Sequence, residues 1–144
     1  MKFLNVLFLA VSLLLSALTL TVHAEDKPSI LTVITSPDTQ TQGMAFVLSL
    51  QSVKQGATVR VLLCGPAGDL ALKGAAETRL KPKGMSPQML MNNLMSQGVA
   101  VEVCALYLPN AGKTPVDLVD GIGVAKPPAI AAAMLAPDTR LFTF

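Results

Sequence analysis

The sequence predicts an α/β fold, a parallel β-sheet covered by helices on both faces. Two observations predict it. Short β-branched runs alternate with helical segments along the chain. The runs are nearly continuous in apolar residues, as strands buried on both faces are.

The first strand is "SILTVIT" (Ser29 to Thr35), which "SPD" breaks. In "GMAFVLSLQSVKQG" the residues Phe46, Val47, Leu50 and Val53 recur at helical spacing. Ser49, Gln51, Ser52 and Lys54 lie between them, and Gly56 suits the left-handed position that closes a helix. "ATVRVLLC" is the second strand, ending at Cys64. A long connection follows, with a short helical turn near Leu70 to Leu72.

The next helix has the clearest local signals. Ser86 can cap it and Pro87 suits its first position. Leu90, Met91, Leu94 and Met95 form an apolar stripe, Asn92, Asn93, Ser96 and Gln97 a polar face, and Gly98 the end. "VAVEVCALYL" is the third strand, and one helical turn is expected after Pro115. "IGVA" (Ile122 to Ala125) is a short fourth strand. "PPAIAAAMLA" is a helix opened by prolines and stopped by Pro137, and "TRLFTF" is a fifth strand. No internal repeat or low-complexity segment interrupts this order.

The N-terminus predicts a compartment. "MKFLNVLFLAVSLLLSALTLTVHA" has the basic Lys2, an apolar run from Phe3 to Leu20, and Val22 and Ala24 at a small-residue cleavage site. Residues 1–24 therefore read as a secretory signal peptide, cleaved after Ala24, against the alternative of an uncleaved membrane anchor, and residues 25–144 as one domain. A periplasmic or otherwise exported location follows, with no membrane span after cleavage. The only histidine, His23, lies in the signal, and the chain has no tryptophan. Imidazole bases, histidine metal ligands and a Ser-His-Asp triad are thus excluded from residues 25–144. Lys2 is the only charged residue of the signal, leaving ten basic against nine acidic residues. That balance carries no nucleic-acid footprint.

In parallel α/β sheets, ligands and chemistry gather beyond the carboxyl ends of the strands. Both cysteines, Cys64 and Cys104, fall there. Two thiols in an exported chain meet an oxidising compartment.

At these residues the chain resembles the DsrE/DsrF-like family. "GATVRVLLCGPAGDLALKG" resembles the family's strand and Gly-Asp loop, and "LMSQGVAVEVCALYLPNAG" its next helix, strand and active-cysteine loop. "DGIGVAKPPAIAAAMLAPDTRLFTF" resembles its closing strand-helix-strand. Sulfur-carrying members have a cysteine at this strand end and a glycine eight residues later, which Cys104 and Gly112 match. The resemblance implies a DsrE-like three-layer α/β/α sandwich with a five-stranded parallel sheet. It also implies a homo-oligomer (trimer or hexamer), a sulfur donor or acceptor protein as partner, and sulfur relay as a cysteine persulfide. The chain departs from the relay members in being exported. It also has Asn110 and Ala111 where they often carry an arginine pair. The family's sheet order, 4-3-2-1-5, makes the second and third strands neighbours and brings Cys64 within disulfide reach of Cys104. A flavodoxin-like order separates them.

Cys104 reads either as a sulfur-accepting nucleophile or as an inert buried cysteine. Cys64 reads as its resolving partner, as half of a structural disulfide, or as core filler. Gly65, Gly68 and Asp69 of "CGPAGD" are candidate ligand-binding residues, through backbone N–H groups, against the alternative of a plain tight loop. Tyr107, three residues after Cys104, either lines the site or packs at a subunit contact. Lys73, Arg79, Lys81 and Lys83 attract a sulfur oxyanion or form a solvated loop. Met85, Met89, Met91 and Met95 suggest soft-metal copper binding, against core packing. No metal or organic cofactor is expected. The functions left standing are an exported sulfur carrier or thiol-redox protein, a non-enzymatic oligomeric binding module with a structural Cys64–Cys104 pair, and a copper binder.

Overall fold

The computed structural model describes residues 27–144. The expected signal peptide lies outside them. Among the described residues five strands and four helices alternate. They are β1 (Ser29–Ile34), α1 (Thr39–Lys54), β2 (Thr58–Leu63), α2 (Pro87–Ser96), β3 (Ala100–Val103), α3 (Tyr107–Asn110), β4 (Gly123–Val124), α4 (Pro127–Leu135) and β5 (Thr139–Thr143). Short 3-10 segments span Gly65–Ala71 and Pro115–Asp117. The sheet order is β4-β3-β2-β1-β5, with every neighbouring pair parallel. The five-stranded parallel α/β architecture is thus the one expected, and its order makes β2 and β3 neighbours.

Alternation along each strand sends successive side chains to opposite faces. Ile30, Ile34, Val61, Leu63, Val101 and Val103 join a cluster with Phe46 and Leu50 of α1 and Leu90, Met91 and Leu94 of α2. Leu31, Val33 and Leu62 join Ala125 and Ile130 on the other side. Each face needs its own cover, and this is why the strands read as continuous apolar runs. Burial of each large side chain contributes about 1.5–3 kcal/mol. The polar positions on the sheet are paired. Thr32 Oγ1 and Ser49 Oγ share a buried hydrogen bond of 3.1 Å. Arg60 Nε donates to Glu102 Oε2 at 2.6 Å across β2 and β3.

The helix boundaries follow from their caps. Ser86 Oγ accepts from Met89 N at 3.1 Å, with Pro87 in the first turn of α2, as its sequence predicts. Gly56 closes α1 with φ +89°. That helix begins earlier than its apolar stripe suggests, because Asp38 Oδ1 accepts from Thr41 N at 2.8 Å and caps it at Thr39. The third strand is shorter than expected. It ends at Val103, and Tyr107 and Leu108 belong to α3. Pro109 has no N–H for a ladder, and the bond from Tyr107 N to Cys104 O (2.9 Å) turns the chain away. No helix among the described residues is long and apolar enough to cross a membrane.

Candidate functional site

Leu63 of β2 and Val103 of β3 are register partners, so Cys64 and Cys104 are the next residues out on adjacent strands. Backbone bonds hold both. Cys64 N donates to Ile34 O at 2.9 Å, and Cys104 N donates to Leu63 O at 2.8 Å. Neighbouring strands are about 4.8 Å apart, which is within disulfide reach. Each thiol is half-buried and free. Cys64 packs against the cluster of Leu31, Val33, Leu62, Ala125 and Ile130, and Cys104 against the larger cluster on the opposite face.

The surroundings of Cys64 bias its protonation. Burial pushes its thiol up to about 12, and the adjoining Cys104 side chain, as partner and as charge, adds to the rise. Cys64 is therefore a protonated thiol at neutral pH. Thiolate, not thiol, is the nucleophile, so burial slows any attack by Cys64. The strand end at Cys104 supplies no helix N-terminus for activation, since α3 is only four residues long and starts at Tyr107.

Two further residues singled out in the sequence meet beside the thiols. Tyr107 is buried, and its Oη donates to Asp69 Oδ1 at 2.5 Å. Burial first, then the Asp69 carboxylate, raises the phenol above the usual tyrosine range. The two glycines of this loop have different tasks. Gly65 has φ +54°, a left-handed backbone that lets the chain turn sharply after Cys64. Gly68 lies under the Tyr107 ring, and a Cβ there would overlap the ring carbons. "CGPAGD" is thus a 3-10 segment clamped by Tyr107.

A cleft of about 510 Å³ opens next to this clamp. Pro66, Asp69 and Leu70 form one wall, Gln42 of α1 and Gln88 of α2 another, and Leu72, Ala75 and Ala76 complete it. The two glutamines escape a sequence reading. They sit on the apolar stripes of their helices, Gln42 one turn before Phe46 and Gln88 three residues before Met91, and a buried polar residue in such a stripe is the signal that marks them.

The remaining candidates lie elsewhere. Lys73 Nζ pairs with Asp120 at 3.0 Å, while Arg79, Lys81 and Lys83 line a groove between α1 and α2 that includes neither cysteine. Met91 is fully buried in the core with Leu90 and Leu94, and Met85 and Met95 pack against that core. Among the described residues no group of three or more His, Cys, Asp or Glu side chains forms a metal cluster.

The same architecture occurs in two solved structures. One is the ychN protein from E. coli, with a TM-score of 0.66 and 19% identity, covering 82% of this chain and 99% of that one. The other is MTH1491 from Methanobacterium thermoautotrophicum, a protein of unknown function. It has a TM-score of 0.60 and 13% identity, and the match covers 83% of this chain and 100% of that one. No protein-family model matches the chain, and no curated protein sequence does. At these identities the likeness is one of fold, and the DsrE-like fold is what it supports.

Proposed function

We propose that this chain is an exported DsrE-like sulfur carrier or thiol-redox protein that works through Cys104, with Cys64 as its partner. The observation that carries the reading is the juxtaposition of the two thiols one residue beyond the register pair Leu63–Val103. The raised Cys64 thiol supports this division of roles. The leader-type segment at residues 1–24 supports a periplasmic location, where two vicinal thiols have an oxidising partner pool.

In the transfer step, the Cys104 thiolate attacks the terminal sulfur of a donor persulfide, R–S–SH. The new S–S bond forms as the donor's S–S bond breaks, and the electron pair leaves on RS⁻. Release follows the same chemistry. Cys64 gives its proton to solvent and attacks Cys104 Sγ, expelling hydrosulfide. The two cysteines are then oxidised to a disulfide by two electrons, and the transferred sulfur is reduced to sulfide. A dithiol reductant resets the pair.

A donor or acceptor protein and further copies of this chain are the partners of this reading. Leu141 and Phe142 support self-association. They are 47% and 38% exposed on β5, a strand paired on one side only.

The adjacency of the cysteines also favours a second reading, a permanent Cys64–Cys104 staple in a binding module. Intact-mass measurement after treatment of reduced protein with polysulfide separates the two. The carrier reading expects a gain of about 32 Da in Cys64→Ser, where no resolving thiol remains, and none in Cys104→Ser. No sulfur uptake by Cys64→Ser, with a Cys64–Cys104 bond that persists in reductant in the unmodified chain, favours the staple. Failure of Cys104 to take up sulfur or alkylating agent in folded, reduced protein ends the carrier reading.

A further inference from the structure

The cleft beside Asp69 has a one-sided chemistry. Gln42 Nε2 donates to Ser36 O at 2.8 Å, and Gln88 Nε2 donates to Ala76 O at 2.8 Å. Both amide orientations follow from those carbonyls, because a reversed amide would set oxygen against oxygen. The nitrogens are thus engaged and the oxygens left over. Gln88 is 8% exposed, and its Oε1 is buried with no hydrogen-bond partner among the described residues. Buried polar atoms are almost always paired, so an orphan of this kind calls for an explanation. Asp69 accepts the Tyr107 hydroxyl on Oδ1 and has no cation within ion-pair distance among the described residues.

The polar side chains of the cleft are thus Gln42, Gln88 and Asp69, with both amide nitrogens already engaged, and no Lys or Arg lines it. Such a set repels sulfate, phosphate and carboxylate groups, which need donors or cations. It suits a ligand that brings N–H donors and positive charge. Pro37, Pro66 and Leu70 supply apolar walls, and about 510 Å³ is the size of a small-molecule site.

The geometry points to a binding site for a small organic cation, a protonated amine on a compact apolar body, with its ammonium group between Asp69, Gln42 and Gln88. Neither cysteine lines this cleft, so the inference stands apart from the sulfur-carrier reading. Amine binding and sulfur uptake are measured separately, and either result can fail without the other.

Three probes of one shape test it by NMR titration of the purified protein at neutral pH: phenethylammonium, 2-phenylethanol and 3-phenylpropionate. Phenethylammonium is expected to shift the side-chain amides of Gln42 and Gln88 and the backbone amides of Asp69 and Ala76, with saturation at millimolar concentration on the order of 1–10 mM. 3-Phenylpropionate is expected to leave them unmoved. Asp69→Asn, which keeps the shape and removes the charge, should weaken phenethylammonium about tenfold. Gln88→Leu should weaken it as well. The proposal is overturned if 3-phenylpropionate binds as well as phenethylammonium, or if no probe shifts these four residues. The comparison of probes on the unmodified protein decides the matter even if a variant does not fold.

Discussion

The Tyr107 hydroxyl donates to the Asp69 carboxylate at 2.5 Å, across 38 residues of sequence. Asp69 belongs to the segment that follows Cys64, and Tyr107 to the turn that follows Cys104. One hydrogen bond therefore ties together the two loops that carry the thiols. The spacing of the thiols is set by the sheet register behind them and by this clamp in front.

Alkylation should distinguish the two cysteines. At about pH 8 a thiol raised to about 12 is only about 1 part in 10⁴ thiolate, so Cys64 should react slowly. Iodoacetamide followed by intact mass and peptide mapping should show Cys104 modified first, and Cys104→Ser should remove the fast phase. Equal rates at both positions would contradict the roles assigned here.

Stability should fall at alkaline pH. Cys64 and Tyr107 both titrate higher in the folded chain than when free, so the native state holds their protons longer than the unfolded state does. Their contribution is complete below about pH 9 and declines as pH rises toward about 12. Urea midpoints at about pH 7.5 and about pH 10.5 should decrease in that order. The Cys64→Ala/Tyr107→Phe double variant should show a shallower decline. A midpoint that holds or rises would remove the basis for both shifts.

Gly68→Ala should destabilise the fold by about 1–3 kcal/mol, because the new methyl overlaps the Tyr107 ring. In a Tyr107→Ala background most of that cost should vanish, since the clash partner is gone. A double-mutant cycle by urea denaturation measures the coupling. Additive costs would mean that Gly68 matters for some other reason.

Tyr107→Phe keeps the packing and removes the hydroxyl that Asp69 accepts. The expected loss is about 1 kcal/mol, as Asp69 is exposed and can be solvated in compensation. Asp69→Asn should cost less, since an amide oxygen still accepts from the phenol. The order of the two urea midpoints checks this.

Much of the architecture is legible residue by residue. Ser86 and Pro87 start α2, Gly56 and Gly98 follow the ends of their helices, and the apolar runs of β1 and β2 lie where the sequence puts them. Local chemistry decides these features, because caps, left-handed glycines and strand runs depend on a few neighbouring residues. The stretch after Cys104 misleads for the same reason. "ALYL" has the composition of a strand, but Pro109 and the turn bond to Cys104 O fold it into α3. The Gly68–Tyr107 contact, the Asp69–Tyr107 bond and the meeting of Gln42 and Gln88 at one cleft are not legible. Each joins residues from different elements, and nothing local encodes their approach.

The sequence by itself determined the alternation of strands and helices, the position of each cysteine at a strand's carboxyl end, and the exclusion of histidine chemistry from residues 25–144. It left Cys64 and Cys104 open between neighbours and strangers, because strand order is a long-range property that runs of apolar residues do not carry. Only the tertiary structure decided that β3 lies beside β2 and not across β1. That single adjacency places two thiols side by side, and burial at their shared edge raises the Cys64 thiol.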